Sequence, residues 1–352
     1  MQRSARLAAR LQLLTYAWRF ARGVGGRVVC LWPRLAGSAA IRDGDAYHPA
    51  TIFDLTRFYA EGGADELVFL EGSAAGPAKA RSLRDDVHEG ERREGFQRER
   101  LRSADIFFER LPPTFRFADE PDDLERFRAD LRTTWDRLPY QPAVDRTLEA
   151  ATRRTGDDYV ALHVRRGDVI DSLRRELPLI DGEGLGEERF VSLIRAYVTR
   201  VAPLASYEPA VRRALQSGQR IVFTSDSPET IDHFVSAFGR GAFIPTTLIA
   251  QNRPPIFKAF VDFNLIMRSR EVISTDGIYA SFAAMLGGGR LTDISGEASL
   301  ELMERELLSS HLRDIPLSRT AGERIRGELA RQYGRVEADR GGRDGRPPLP
   351  RK

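Results

Sequence analysis

Leu7, Leu11, Leu14 and Trp18 recur at helical spacing, with Ala17 and Ala21 on adjoining positions, so the chain opens on a predicted amphipathic helix. Gly23, Gly25 and Gly26 stop it. The apolar run Val28–Trp32 then reads as a short buried strand closed by Pro33, and Leu67–Leu70 as another, after a helix near Ile52–Tyr59. This alternation predicts an α/β first domain. Residues 71–102 are dense in Gly, Ala, Arg, Asp and Glu and read as a loop or an exposed helix. Asp122–Leu138 is predicted helical, and Pro139 and Pro142 break the pattern, which places a domain boundary there.

The second half alternates more regularly. Strands are predicted at Tyr159–Val164, Arg220–Thr224, Ala242–Ile244 and Val272–Ser274. Helices are predicted at Glu187–Val201, where Phe190, Ile194 and Val198 share a face, and at Pro228–Phe238, Phe257–Arg268 and Ala280–Leu286. Strand, loop and helix repeated in this way give a parallel sheet with ligand sites at the carboxyl ends of its strands. Residues from Pro316 turn helical and then rich in Gly, Arg and Pro, a predicted mobile tail. The expected organisation is an α/β domain over 1–145, a Rossmann-like domain over 146–314 and a helical, then disordered, tail over 315–352.

Composition narrows the function classes. A hydrophobic fraction of 41% and a charged fraction of 30% exclude disorder over the whole length. The net charge is +3. Arg340, Arg343, Arg346, Arg351 and Lys352 against Glu337, Asp339 and Asp344 place much of that excess in the tail. The body is near neutral and has no basic stripe for a nucleic-acid backbone. Cys30 is the one cysteine, so it has no intramolecular disulfide partner, and it reads as a small buried apolar group. No stretch reaches the roughly 18 apolar residues of a membrane span. Arg10 and Arg19 interrupt any signal-peptide core, so the first segment reads as part of the fold.

The candidate chemistry lies where Tyr159–Val164 runs into Arg165-Arg166-Gly167-Asp168. A guanidinium keeps its charge, and its planar fork matches two phosphate oxygens. Gly167 lets the backbone pass close to a ligand, Asp168 can hold one arginine, and His163 alternates with Arg165 on one side of the strand. Adjacent arginines are equally an ordinary solvated feature; Arg153-Arg154, Arg174-Arg175 and Arg212-Arg213 are others. What sets this pair apart is its place at the end of a buried strand, which also argues against reading Arg-Gly-Asp as an integrin signal. Two further segments accompany it. Ile221–Phe223 leads into Thr224-Ser225-Asp226-Ser227-Pro228, where Asp226 or Ser227 can also be a plain helix N-cap. Asp262 is followed by Val272-Ile273-Ser274-Thr275-Asp276, Gly277 and then Ser281-Phe282 near a helix N-terminus, a position that favours phosphate oxygens. Phe282 is also readable as a core residue.

Together these segments resemble the fucosyltransferases that share a His-x-Arg-Arg-Gly-Asp motif, a group that includes α-1,2- and α-1,6-fucosyltransferases and protein O-fucosyltransferases. The motif is His163-Val164-Arg165-Arg166-Gly167-Asp168; Thr224–Pro228 and Asp262–Phe282 resemble the second and third motifs. The resemblance implies two facing Rossmann-like domains, the B-type glycosyltransferase fold, with the acceptor side in the first and GDP-fucose held mainly by the second. It implies that Arg165 grips the β-phosphate beside Arg166 and His163, that Asp262 reads the guanine, and that Asp226 shapes the nucleotide pocket. Thr275, Ser281 and Phe282 would line the donor site. It further implies inverting transfer of fucose to a glycan or protein hydroxyl without metal or other cofactor. Separately, the single thiol and the lack of a span-length apolar stretch give the expectation of a soluble, cytoplasmic protein compatible with peripheral membrane association. Members usually begin with a strand and a Gly-rich loop before the first helix, whereas residues 1–10 contain no glycine; the expectation is an N-terminal domain shortened at its start, and a catalytically silent, nucleotide-sugar-binding scaffold is the alternative. Asp43, Asp45 and Glu71 are candidates for the general base, and His48, His88, His233 and His311 read as ordinary surface or core residues.

Overall fold

A computed structural model of the chain describes residues 7–31, 48–70, 81–82, 106–107, 117, 119–120, 123–181, 184–225, 227–246, 249, 253–275 and 277–343. In chain order its helices are α1 (Leu7–Val24), α2 (Leu55–Ala60), α3 (Leu124–Trp135), α4 (Pro142–Thr155), α5 (Gly167–Glu176), α6 (Glu187–Arg200), α7 (Leu204–Gln216), α8 (Pro228–Phe238), α9 (Pro255–Arg268), α10 (Ile278–Gly287), α11 (Leu300–Glu306) and α12 (Arg319–Arg343). The strands are β1 (Val28–Leu31), β2 (Leu67–Leu70), β3 (Arg81–Ser82), β4 (Ile106–Phe107), β5 (Tyr159–Val164), β6 (Arg220–Ser225), β7 (Phe243–Pro245), β8 (Glu271–Ser274) and β9 (Arg290–Asp293). All strand pairs among the described residues are parallel, so the molecule is α/β, as the alternation of elements predicts.

The chain forms two compact units. The first comprises Met1–Asp157, Thr247–Ser269 and Ser281–Gly289; the second comprises Asp158–Thr246, Arg270–Ala280 and Arg290–Lys352. In the first unit β1 pairs with β2 from Val28↔Leu67 onward, and β3 pairs with β4. Its core is aromatic: Trp135 on α3 meets Phe53, Tyr140, Phe260 and Phe263 at centroid separations of 5.6–6.3 Å. The Tyr140 hydroxyl accepts from Trp135 Nε1 at 2.6 Å and donates to Asn264 Oδ1 at 2.8 Å, so the polar atoms this core buries are satisfied. Arg19 is only 5% exposed and binds Asp130 and Glu120, both at 2.6 Å, which tolerates a charge in the buried stretch of α1. Pro142, expected to break the helical pattern, opens α4 at a first-turn position where a missing N–H costs nothing.

The second unit holds a five-stranded sheet in the order β7-β6-β5-β8-β9. Counted along the chain within the unit this is 3-2-1-4-5, the doubly wound order whose direction reverses between β5 and β8. β5 and β6 are nearly continuous apolar runs because a central parallel strand is covered on both faces; Val160, Leu162, Ile221 and Phe223 are 0–1% exposed. One core joins the sheet to α7 and α8 through Tyr207, Val211 and Phe234. A second core packs α5, α6, α11 and α12 around Leu173, Ile194, Leu307 and Ile325. The segment expected to become a tail is therefore anchored as far as α12, and residues 344–352 lie outside the described residues.

Candidate functional site

The reversal point of the doubly wound sheet is where a ligand crevice forms outside the strand ends, and β5 there delivers Arg165 and Arg166. Arg166 occupies the N-cap position of α5, and its carbonyl receives the amides of Val169 and Ile170 at 3.1 and 3.0 Å. The helix thus begins at Gly167, its amino end at the end of β5, and its macrodipole favours an anion there. Arg165 is half-buried.

The neighbouring strand ends complete the polar surroundings. His163 lies opposite Thr224 in the β5–β6 register and contacts its hydroxyl through Nδ1 at 2.8 Å. On another side the His163 ring stacks against Tyr279 of α10, centroids 4.9 Å apart. These contacts fix the imidazole plane just before Arg165. Thr275 follows β8 and neighbours the buried Tyr207, whose phenol burial pushes well above the ordinary range and keeps protonated. Ser225 at the end of β6 accepts the amide of Ser227 at 3.1 Å, a turn that precedes Pro228 and α8. Ser227 takes the N-cap position, but its side chain makes no capping bond.

Arg166 departs from the pairing the sequence suggests. Its guanidinium is 2% exposed and points into the second unit, where Nη2 is bound by Glu306 of α11 and by His311. The Glu306 carboxylate has a further donor, the Leu204 amide at the start of α7, at 2.8 Å. Burial pushes the Glu306 carboxyl up, but His311 and the Arg166 guanidinium outweigh it and hold it below its ordinary value of 4.5. His311 Nε2 lies 3.3 Å from Glu306, so it donates there when protonated and accepts from the donor-only guanidinium when neutral. Neither Glu306 nor His311 stood out in the sequence. Each lies some 140 residues from Arg166, with no spacing to expose it.

His163, Arg165, Arg166 and Thr275 share the second unit. Asp262, half-buried on α9, and Ser281 and Phe282 on α10 belong to the first. Phe282 is fully enclosed, its ring 5.7 Å from Phe263 and 6.0 Å from Tyr16. Asp226, the side chain of Asp168, and Asp43, Asp45, Glu71 and His88 lie outside the described residues. His48 accepts the Ala50 amide at 3.1 Å, and His233 faces Glu208 at 3.3 Å. Cys30 is partly enclosed, and burial pushes its thiol up to about 12. Among the described residues no group of three or more His, Cys, Asp or Glu side chains is placed to hold a metal ion, and no helix is long and apolar enough to cross a membrane.

No family model matches the chain, and no curated protein matches its sequence. Among solved structures it is similar to the fucosyltransferase NodZ from Bradyrhizobium, with 13% identity over 81% of this chain and 90% of that one and a TM-score of 0.47. It is also similar to POFUT1 in its apo form, with 11% identity over 82% and 94% and a TM-score of 0.44. A third is POFUT1 in complex with GDP-fucose, with 10% identity over 81% and 93% and a TM-score of 0.42. These values describe a distant likeness in the course of the chain and say nothing about activity.

Proposed function

We propose that the chain is a glycosyltransferase of the fucosyltransferase kind, which transfers fucose from GDP-fucose to a glycan or protein hydroxyl. The observation that carries this reading is Arg165. It is a permanently charged side chain at the carboxyl end of β5, on the reversal point of a 3-2-1-4-5 parallel sheet and beside the amino end of α5. Cleaving a glycosyl–phosphate bond leaves negative charge on the departing diphosphate. A guanidinium and a helix N-terminus fixed in advance stabilise that charge more in the transition state than in the ground state. Arg165 would meet the β-phosphate, His163 and Thr275 would flank the diphosphate, and no metal is required for this charge balance. Roles for Asp168 and Asp226 follow from the motif resemblance and complete the proposed donor site; Phe282, enclosed in the aromatic core of the first unit, takes no part in it.

Arg165→Ala is expected to lower transfer by about a hundredfold or more, roughly 3–4 kcal/mol. The check is GDP-fucose turnover by the purified chain, in the presence of candidate acceptors and as donor hydrolysis, beside calorimetry with GDP. A parent chain that binds GDP but never turns the donor over would be the silent scaffold instead. A parent that binds neither GDP nor GDP-fucose sinks the nucleotide-sugar reading outright.

A further inference from the structure

We infer that Glu306 and His311 are positioning residues for the anion-binding turn and act by drawing Arg166 into the core so that Arg165 is held at the strand end. The inference rests on the donor-site reading above for its ligand and on local geometry for its mechanism. Two adjacent arginines at the end of a strand face a choice: both can swing into solvent or toward a ligand, or one can be sacrificed to fix the other. Here Arg166 is the one fixed. Its side chain is 3% exposed and that of Glu306 is 13% exposed, and their ion pair is joined by His311. Its backbone at the same time caps α5 by accepting from Val169 and Ile170. A single residue thereby ties the first turn of α5 to the end of α11.

The tie is doubled. Arg174, two turns further along α5, donates to the His311 carbonyl at 3.1 Å and pairs with Glu229 of α8 at 3.0 Å. Glu306 receives the Leu204 amide, which brings the start of α7 into the same cluster. On the remaining side Tyr197 of α6 sets its ring edge-on to His311, with centroids 6.4 Å apart, and donates to the Met303 carbonyl at 3.1 Å. His311 closes a π-helical turn, Leu307–His311, a local widening that often marks functional positions. The start of α5, the start of α7 and the turn after α11 therefore converge on one buried carboxylate. Because Arg166 and Arg165 are consecutive, the orientation of the first restricts the backbone that presents the second.

The test is a double-mutant cycle with GDP as the probe. Glu306→Gln keeps the shape of the side chain and removes its charge; it is expected to weaken GDP binding by about tenfold or more, within the range that small displacements of a binding group cost. In an Arg165→Ala background the same change should cost under about twofold, because the group it positions is already gone. Additive losses in the two backgrounds would mean that Glu306 does not act through Arg165. Hydrogen exchange provides a readout independent of any ligand. Glu306→Gln and the milder His311→Gln should accelerate exchange of the amides of residues 167–170 and 204 while leaving α3 unchanged. If the parent binds no GDP, the donor-site reading fails and the exchange result alone decides the clamp. Unchanged exchange at 167–170 in both folded variants overturns it.

Discussion

At Glu306 a single carboxylate carries two kinds of consequence. It is buried with a guanidinium, and removing one member of such a pair strands the other charge, at a cost of about 3–5 kcal/mol. Its folded value is held below 4.5, so acid unfolds the chain partly through this group. The contribution is complete above about pH 4.5 and disappears as pH falls through the depressed folded value. Urea unfolding of the parent and of Glu306→Gln at a series of pH values should therefore give curves that are separated near neutrality and converge below about pH 4.5. A constant separation down to the most acid points would show that the carboxylate is not the titrating group. Arg165 and Arg166 make the complementary case. They are identical as residues and adjacent in the chain, yet one is half-buried beside the strand end and the other is enclosed with an anion of its own. Nothing in the letters distinguishes them. The difference comes from Glu306 and His311, which only folding brings to Arg166.

At the scale of elements, hydrophobic periodicity predicted β5, α6, β6, α8, α9 and β8 to within a residue or two. Long apolar runs and helical stripes survive folding because tertiary burial reinforces them. Three of the elements it missed begin or continue through residues that ordinarily break structure. α4 starts at Pro142, α5 starts on Gly167-Asp168, and α7 contains Pro209 in its interior. Packing of Tyr207, Ala210, Val211 and Ala214 into the sheet core offsets the hydrogen bond that Pro209 removes. A close approach between α9 and α10 sets another constraint that spacing could not show. A Cβ added at Gly287 would fall on the Met267 carbonyl oxygen at the end of α9. Backbone on both sides leaves no cheap adjustment, so Gly287→Ala is expected to destabilise the chain by about 1–3 kcal/mol or more. A lowered urea midpoint with an unchanged slope would be the signature. An unaffected midpoint would mean that α10 shifts freely along α9.

For the whole molecule, ligand linkage gives the most direct check on the donor-site reading. GDP binding to the folded state alone should add about 2.7 kcal/mol of stability when present at a hundred times its dissociation constant. Thermal denaturation with and without GDP measures this, and Arg165→Ala should shrink the shift at the same nucleotide concentration. A nucleotide that leaves the parent's transition in place would count against the site. The sequence by itself determined the class of the protein, α/β with a parallel sheet in its second half, because alternation of apolar runs and helical stripes is a local property of the chain. It also singled out the Arg165 loop, because two adjacent charges directly after a buried strand are visible as letters. Tertiary structure alone decided the strand order that puts this loop at the reversal point, the assignment of 247–269 and 281–289 to the first unit, and the burial of Arg166 against Glu306 and His311. Those outcomes depend on pairs separated by a hundred residues or more, and a parallel sheet makes such pairs without leaving any periodic trace in the segments between them.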